Sequence, residues 1–68
     1  MGETDQITTI MFRLIKENRF TKEELHFQTK RVIVREYGHI IQEENYHKAM
    51  AELSPIIGRD ENKRLYLL

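Results

Sequence analysis

Three side chains that bind metals elsewhere recur at intervals of four residues: His39, Glu43 and His47. On one continuous helix this spacing would place all three on a single face, where imidazole and carboxylate groups can hold a divalent ion such as zinc. Gly38 and a predicted helix start near Gln42 interrupt such a helix, and no H-E-x-x-H motif is present. We therefore expect ordinary surface histidines and predict no metal site.

The motifs by which catalytic sites are usually recognised are missing from the sequence. The 68 residues include no cysteine, no glycine-rich phosphate-binding loop and no G-x-S-x-G motif. The glycines Gly2, Gly38 and Gly58 are scattered. A domain of this size also has little volume for a catalytic pocket. We expect a binding protein that is not an enzyme and that carries no cofactor.

Two groups of polar side chains have the chemistry of nucleic-acid contacts. The first group lies in a predicted helix, where an amide can pair bidentately with adenine; its members are Asn45, His47 and Lys48. The second group lies in a predicted hairpin and could contact phosphates; its members are Arg59, Lys63 and Arg64. Further basic residues upstream, Lys30, Arg31 and Arg35, could join them if the fold brings them to one face.

The charge balance of the chain argues against nucleic-acid binding. Eleven basic and eleven acidic residues give a formal net charge of zero, which argues against a generic nucleic-acid coat and against a membrane-surface role. Glu43 and Glu44 open the predicted third helix, where they suit the helix dipole but repel phosphates. Ordinary solvated charges remain the alternative interpretation of the basic residues.

Length and composition predict one ordered domain over residues 1–68. A chain this short buries only about 60% of the surface that its unfolded form exposes, so its stability is marginal. Without cysteine, association of subunits is the favoured supplement, and we predict a homodimer. The polar start of the sequence lacks a secretory signal and no apolar stretch is long enough to span a membrane, so we expect a cytoplasmic protein without a membrane partner.

Apolar spacing and capping signals predict the first two helices. Residues 7–15 carry isoleucine, methionine and leucine at helical intervals, with Thr4 or Asp5 as the N-cap and an end near Asn18. Thr21 and Glu24 form a capping box, in which each side chain bonds the other residue's backbone N–H, so a second helix begins at Thr21.

The end of the second helix is ambiguous in the sequence. Val32, Ile33 and Val34 are a β-branched triplet that favours a strand. One alternative continues the helix to Tyr37. The other ends it near Thr29 and pairs residues 31–36 with residues 39–42 in a hairpin.

The final third of the chain predicts a helix followed by a hairpin. Apolar residues between Glu43 and Leu53 fit one helical face, and Ser54-Pro55 ends that helix. The apolar runs at residues 56–58 and 65–68 bracket a polar segment, a pattern typical of a hairpin with a charged tip. We therefore predict a mainly α fold of three helices with a small C-terminal β-hairpin.

Two stretches of the chain resemble the winged-helix members of the helix-turn-helix class. The sequence FTKEEL at residues 20–25 is similar to the opening of the second helix in that class. The sequence AMAEL at residues 49–53, continuing through IIGR at 56–59 to KRLYL at 63–67, is similar to a recognition helix that passes into a wing. The resemblance implies a small DNA-binding transcriptional regulator or architectural protein, in which the third helix enters the major groove and the wing lies along the backbone.

A second functional class stays open beside DNA binding. The chain could be a small protein-interaction module, such as an inhibitor or adaptor, that binds a protein partner without catalysis. Exposed apolar side chains would form its interface, and the candidates are Ile33, Tyr37, Ile40 and Ile41.

Overall fold

The computed structural model describes residues 2–68 and contains three helices and a three-stranded sheet. The elements in chain order are α1 (Glu3–Glu17), β1 (Phe20–Thr21), α2 (Lys22–Tyr37), α3 (Glu43–Leu53), a short 3-10 helix (Ser54–Ile56), β2 (Ile57–Arg59) and β3 (Arg64–Leu67). The predicted fold class, three helices with a C-terminal hairpin, is confirmed.

Helix α1 begins two to three residues earlier than the sequence suggests. Its N-cap is Gly2, whose backbone N–H donates to the Asp5 carboxylate at 3.5 Å, so the prediction of Thr4 or Asp5 as the cap was wrong. The helix ends at Glu17 and its C-cap is Asn18, as predicted. Asn18 is extended rather than left-handed, with φ −147°, because the chain continues directly towards β1.

Helix α2 begins with the predicted capping box and runs to Tyr37. The Glu24 N–H donates to the Thr21 hydroxyl at 3.2 Å, and the Thr21 N–H donates to the Glu24 carboxylate at 3.0 Å. The bond from the Thr21 N–H is the main reason that the pKa of Glu24 is lowered, because it stabilises the ionised carboxylate. The left-handed Gly38, with φ 72°, ends the helix.

The hairpin alternative for residues 31–42 is therefore wrong. Val32 and Ile33 lie on the buried face of α2, with 5% and 0% of their surfaces exposed. Burial of these two side chains against α1 stabilises the helix by more than the fraction of a kcal/mol that separates β-branched residues from good helix formers, typically up to about 0.7 kcal/mol each.

The sheet is antiparallel with strand order β1-β3-β2. Phe20 pairs with Leu65 and Thr21 with Arg64, so a short strand that no sequence signal predicted precedes α2. The β2–β3 hairpin follows α3 after the short 3-10 helix, and we call residues 57–67 the wing. The element order is helix, strand, helix, helix and two strands, and the last strand is central in the sheet.

The core lies between the three helices and the inner face of β3. Helix α1 packs against both α2 and α3 and contributes four buried side chains. The buried apolar residues are Ile7, Ile10, Met11, Ile15, Leu25, Val32, Ile33, Ile41, Tyr46, Ala49, Leu53 and Leu65. Within residues 2–68, none of the helices has the length and apolar character that crossing a bilayer requires.

Candidate functional site

Tyr46 fixes the orientation of α3 and so determines which of its side chains face solvent. The Tyr46 ring is buried, stacks on the His26 ring at 4.1 Å between centroids, and its hydroxyl donates to the Lys22 carbonyl at 3.4 Å. Burial, reinforced by the carboxylates of Glu23 and Glu43, raises the pKa of Tyr46 to about 12. With Tyr46 facing α2, the next two residues, His47 and Lys48, face solvent.

Asn45 lies on the side of α3 that faces α1. Its side chain is half-buried, and its amide oxygen accepts a hydrogen bond from the Thr4 hydroxyl at 3.3 Å. This contact occupies the oxygen within the domain and turns the amide away from the exposed surface of α3. The expectation that Asn45 faces a base is therefore not supported by its position.

The two glutamates at the start of α3 each contact a nitrogen-containing side chain of the domain. The Lys48 ammonium lies 3.4 Å from the Glu44 carboxylate one turn earlier, and the Glu43 carboxylate lies 3.3 Å from the His26 imidazole of α2. An exposed pair such as Lys48–Glu44 contributes at most about 1 kcal/mol, so a phosphate could compete for the lysine. The two glutamates nevertheless leave the exposed end of α3 acidic.

The tip of the wing is organised by Asp60. Its carboxylate accepts the backbone N–H groups of Asn62 and Arg64, each at 2.9 Å, and its carbonyl accepts the Lys63 N–H at 3.0 Å. The N–H of Arg64, then that of Asn62 and the guanidinium of Arg19, lower the pKa of Asp60 against the opposing effect of desolvation. Lys63 closes the turn in the left-handed conformation, with φ 63°.

The three predicted wing cations differ in how they are used. The Arg64 guanidinium donates to the Arg19 carbonyl at 2.9 Å and lies 3.3 Å from the Glu24 carboxylate, so it fastens the wing to the start of α2. Arg59 and Lys63 are exposed, and neither forms an ion pair with any of residues 2–68. Two of the three cations therefore remain available to a ligand.

The predicted apolar interface is divided between core and surface. Ile33 and Ile41 are buried, with 0% and 4% of their surfaces exposed, so the expectation that they are accessible was wrong. The stripe of α2 that carries Ile33 faces α1, and Ile41 closes the core ahead of α3. Tyr37 and Ile40 are exposed at 43% and 74%.

The histidine–carboxylate series lies on two separate elements. Helix α2 ends at Tyr37 and α3 begins at Glu43, so His39 belongs to the connecting loop. Over residues 2–68, no three histidine or acidic side chains are grouped closely enough to hold a metal ion.

The outer face of α2 carries a feature that sequence reasoning missed. Five side chains line a shallow groove of about 460 Å³, which we call the α2 groove: Phe27, Lys30, Arg31, Val34 and Arg35. Phe27 and Val34 are 59% and 48% exposed, and the Arg31 guanidinium lies 5.9 Å from the centre of the Phe27 ring. The signal was available in the sequence, because these residues recur at the i, i+3, i+4, i+7 and i+8 positions of a helical face.

Comparison with known proteins adds no relative to this description: no protein-family model, curated protein or solved structure matches the chain.

Proposed function

We propose that this domain binds double-stranded DNA, as a small transcriptional regulator or architectural protein of winged-helix type. The wing makes the principal contacts, in which the cationic side chains of Arg59 and Lys63 bind phosphates of the DNA backbone. The conformation of Lys63 is the observation that carries the proposal. A left-handed non-glycine residue costs roughly 1–2 kcal/mol, and glycine or asparagine is the usual occupant of such a hairpin position.

A strained residue at a loop tip is an indication of function when its side chain has no structural role. Lys63 is exposed, has no carboxylate partner within residues 2–68, and lies four residues from the other unpaired cation of the wing, Arg59. A lysine in place of glycine at this position lowers stability without any visible gain within the domain. A phosphate contact would account for it.

Helix α3 has a smaller part in the proposal. His47 and Lys48 are its exposed candidates for the major groove, while Glu43 and Glu44 oppose close approach to phosphates. Since Asn45 and Arg64 are engaged within the domain, few side chains remain to distinguish bases. We expect affinity that depends on salt and only weakly on sequence.

The test is a titration of a fluorescent DNA duplex by anisotropy at several salt concentrations. Each phosphate contact contributes about 0.9 to the slope of log K against log salt, so Lys63→Ala and Arg59→Ala should each lower the slope by about that amount. Lys16→Ala, which removes an exposed charge from α1, is the matched control and should leave the slope unchanged. Absence of salt-dependent affinity in the parent protein, or an equal effect of Lys16→Ala, contradicts the proposal.

A second candidate function, a protein-interaction module without catalysis, is favoured by the exposed side chains of Tyr37 and Ile40. A second copy of the chain is the simplest partner, as expected for so small a core. Of the four apolar candidates, Ile33 and Ile41 are buried within one subunit, so Tyr37 and Ile40 would form the interface. Sedimentation equilibrium at micromolar concentration tests it: Ile40→Ser should weaken association, and a strict monomer of 8.2 kDa excludes it.

A further inference from the structure

We propose that the α2 groove is a docking site for an acidic amphipathic segment of another protein. The segment would place one or two apolar side chains between Phe27 and Val34 and its carboxylates beside Lys30, Arg31 and Arg35. This surface lies on the outer face of α2 and shares no residue with the wing or with α3. The inference therefore does not depend on DNA binding.

The apolar part of the groove is the first support. Phe27 and Val34 lie two helical turns apart on the solvent side of α2, about 10 Å at 1.5 Å per residue. A partner helix with apolar side chains seven residues apart has the same spacing, which is the usual pattern of helix-in-groove recognition. Both side chains are about half exposed or more and would lose that exposure on docking.

Charge complementarity determines the character of the partner. The groove is lined by three cations and by no acidic residue, although the chain as a whole is neutral. Lys30 and Arg31 make no ion pair with any of residues 2–68, and Arg35 reaches the Glu36 carboxylate only at 3.9 Å. Two unpaired cations and a third that is only loosely paired attract carboxylates and repel basic segments.

The geometry of the groove favours a peptide over other anionic partners. A membrane surface would require a broad apolar face, and only two of the five lining residues are apolar. Phosphates of duplex DNA would engage the three cations but would leave Phe27 and Val34 exposed to water. An acidic peptide with apolar side chains satisfies both halves of the surface.

The experiment uses the full chain and a designed helical peptide with leucines at positions i and i+7 and glutamates at i+3, i+4 and i+8. The amide resonances of α2 residues 27–35 should shift on titration, and those of the wing should not. A peptide with glutamine in place of glutamate, and one with serine in place of leucine, should each bind at least about tenfold more weakly.

Variants of the protein test whether the peptide binds at the α2 groove. Phe27→Ser and Arg31→Glu change exposed side chains and should each weaken peptide binding by about tenfold or more, whereas the control Lys16→Glu should not. Duplex affinity should be unaffected by Phe27→Ser, which separates this inference from the proposed function. Resonance shifts outside α2, equal binding of the glutamine peptide, or displacement of the peptide by single-stranded DNA or by vesicles of anionic lipid overturns it.

Discussion

The wing with α3 and the outer face of α2 carry similar numbers of cations but use them differently. On the first surface, Lys48 is paired with Glu44 and Arg64 with Glu24, so the domain neutralises part of its own positive charge. On the second, Lys30 and Arg31 have no acidic partner within residues 2–68 and flank exposed apolar groups. A basic residue is therefore a better candidate for ligand contact where it has no ion-pair partner within residues 2–68, as at Arg59 and Lys63 in the wing.

The largest expected effect distinguishes the buried face of α2 from the exposed loop that follows it. Ile33→Ala removes a fully buried side chain and should lower the free energy of unfolding by about 2–5 kcal/mol. Ile40→Ala, at an exposed position in the loop after α2, should change it by no more than about 0.5 kcal/mol. Urea denaturation of both variants measures the difference, and equal midpoints would contradict the assignment of Ile33 to the core.

The helices and the wing could be predicted from sequence because their signals are local. Capping at Thr21 and the Ser-Pro end of α3 act within a few residues, whereas Gly38 fitted both alternatives for residues 31–42 and did not determine where α2 ends. The two-residue strand β1 could not be predicted, since it exists only through pairing with Leu65 and Arg64 more than forty residues away.

The candidate site was predicted less completely for a related reason. The stripe that buries Ile33 includes Thr29, which is fully buried and whose hydroxyl finds no hydrogen-bond partner among residues 2–68. A threonine in the stripe hid the helical period and made Ile33 look available. The partners of Asn45 and Arg64 lie on other elements, so neither engagement was visible from spacing.

Reversing one charge on either surface should weaken binding of the ligand proposed for that surface and leave the other ligand's binding largely unchanged. Arg31→Glu and Lys63→Glu alter net charge equally, so each is the control for the other. We expect Arg31→Glu to weaken the acidic peptide by about tenfold or more while duplex affinity changes little, and Lys63→Glu to do the opposite. Anisotropy titrations with both ligands give the result, and parallel losses would mean that only total charge matters.

Replacement of Lys63 by glycine should raise stability while it weakens DNA binding. Glycine adopts φ 63° without the penalty of a side chain, so the free energy of unfolding should rise by about 1 kcal/mol. Thermal denaturation measures the gain, and the duplex titration measures the loss. A variant that gains stability and retains full DNA affinity would remove the functional explanation of the strained lysine.

The smallest effect is an acid dependence that belongs to the wing and to the start of α2. Folding lowers the pKa of Glu24 below 4.5 and that of Asp60 below 3.8, so both carboxylates stabilise the domain when ionised. Their contribution is present above the ordinary pKa values and is lost as the pH falls through the lower, folded values. The melting temperature should thus decline as the pH is taken from about 5 to 3. The double variant Glu24→Gln, Asp60→Asn should start lower at pH 5 and decline less, because neither side chain can then take up a proton. The α2 groove is lined by no carboxylate, so peptide binding by the folded protein should respond to this pH change only through the acidic side chains of the peptide.

The stability measurement has its own contradicting outcome. An unchanged decline of the melting temperature in the double variant would show that carboxylates other than Glu24 and Asp60 control the acid response.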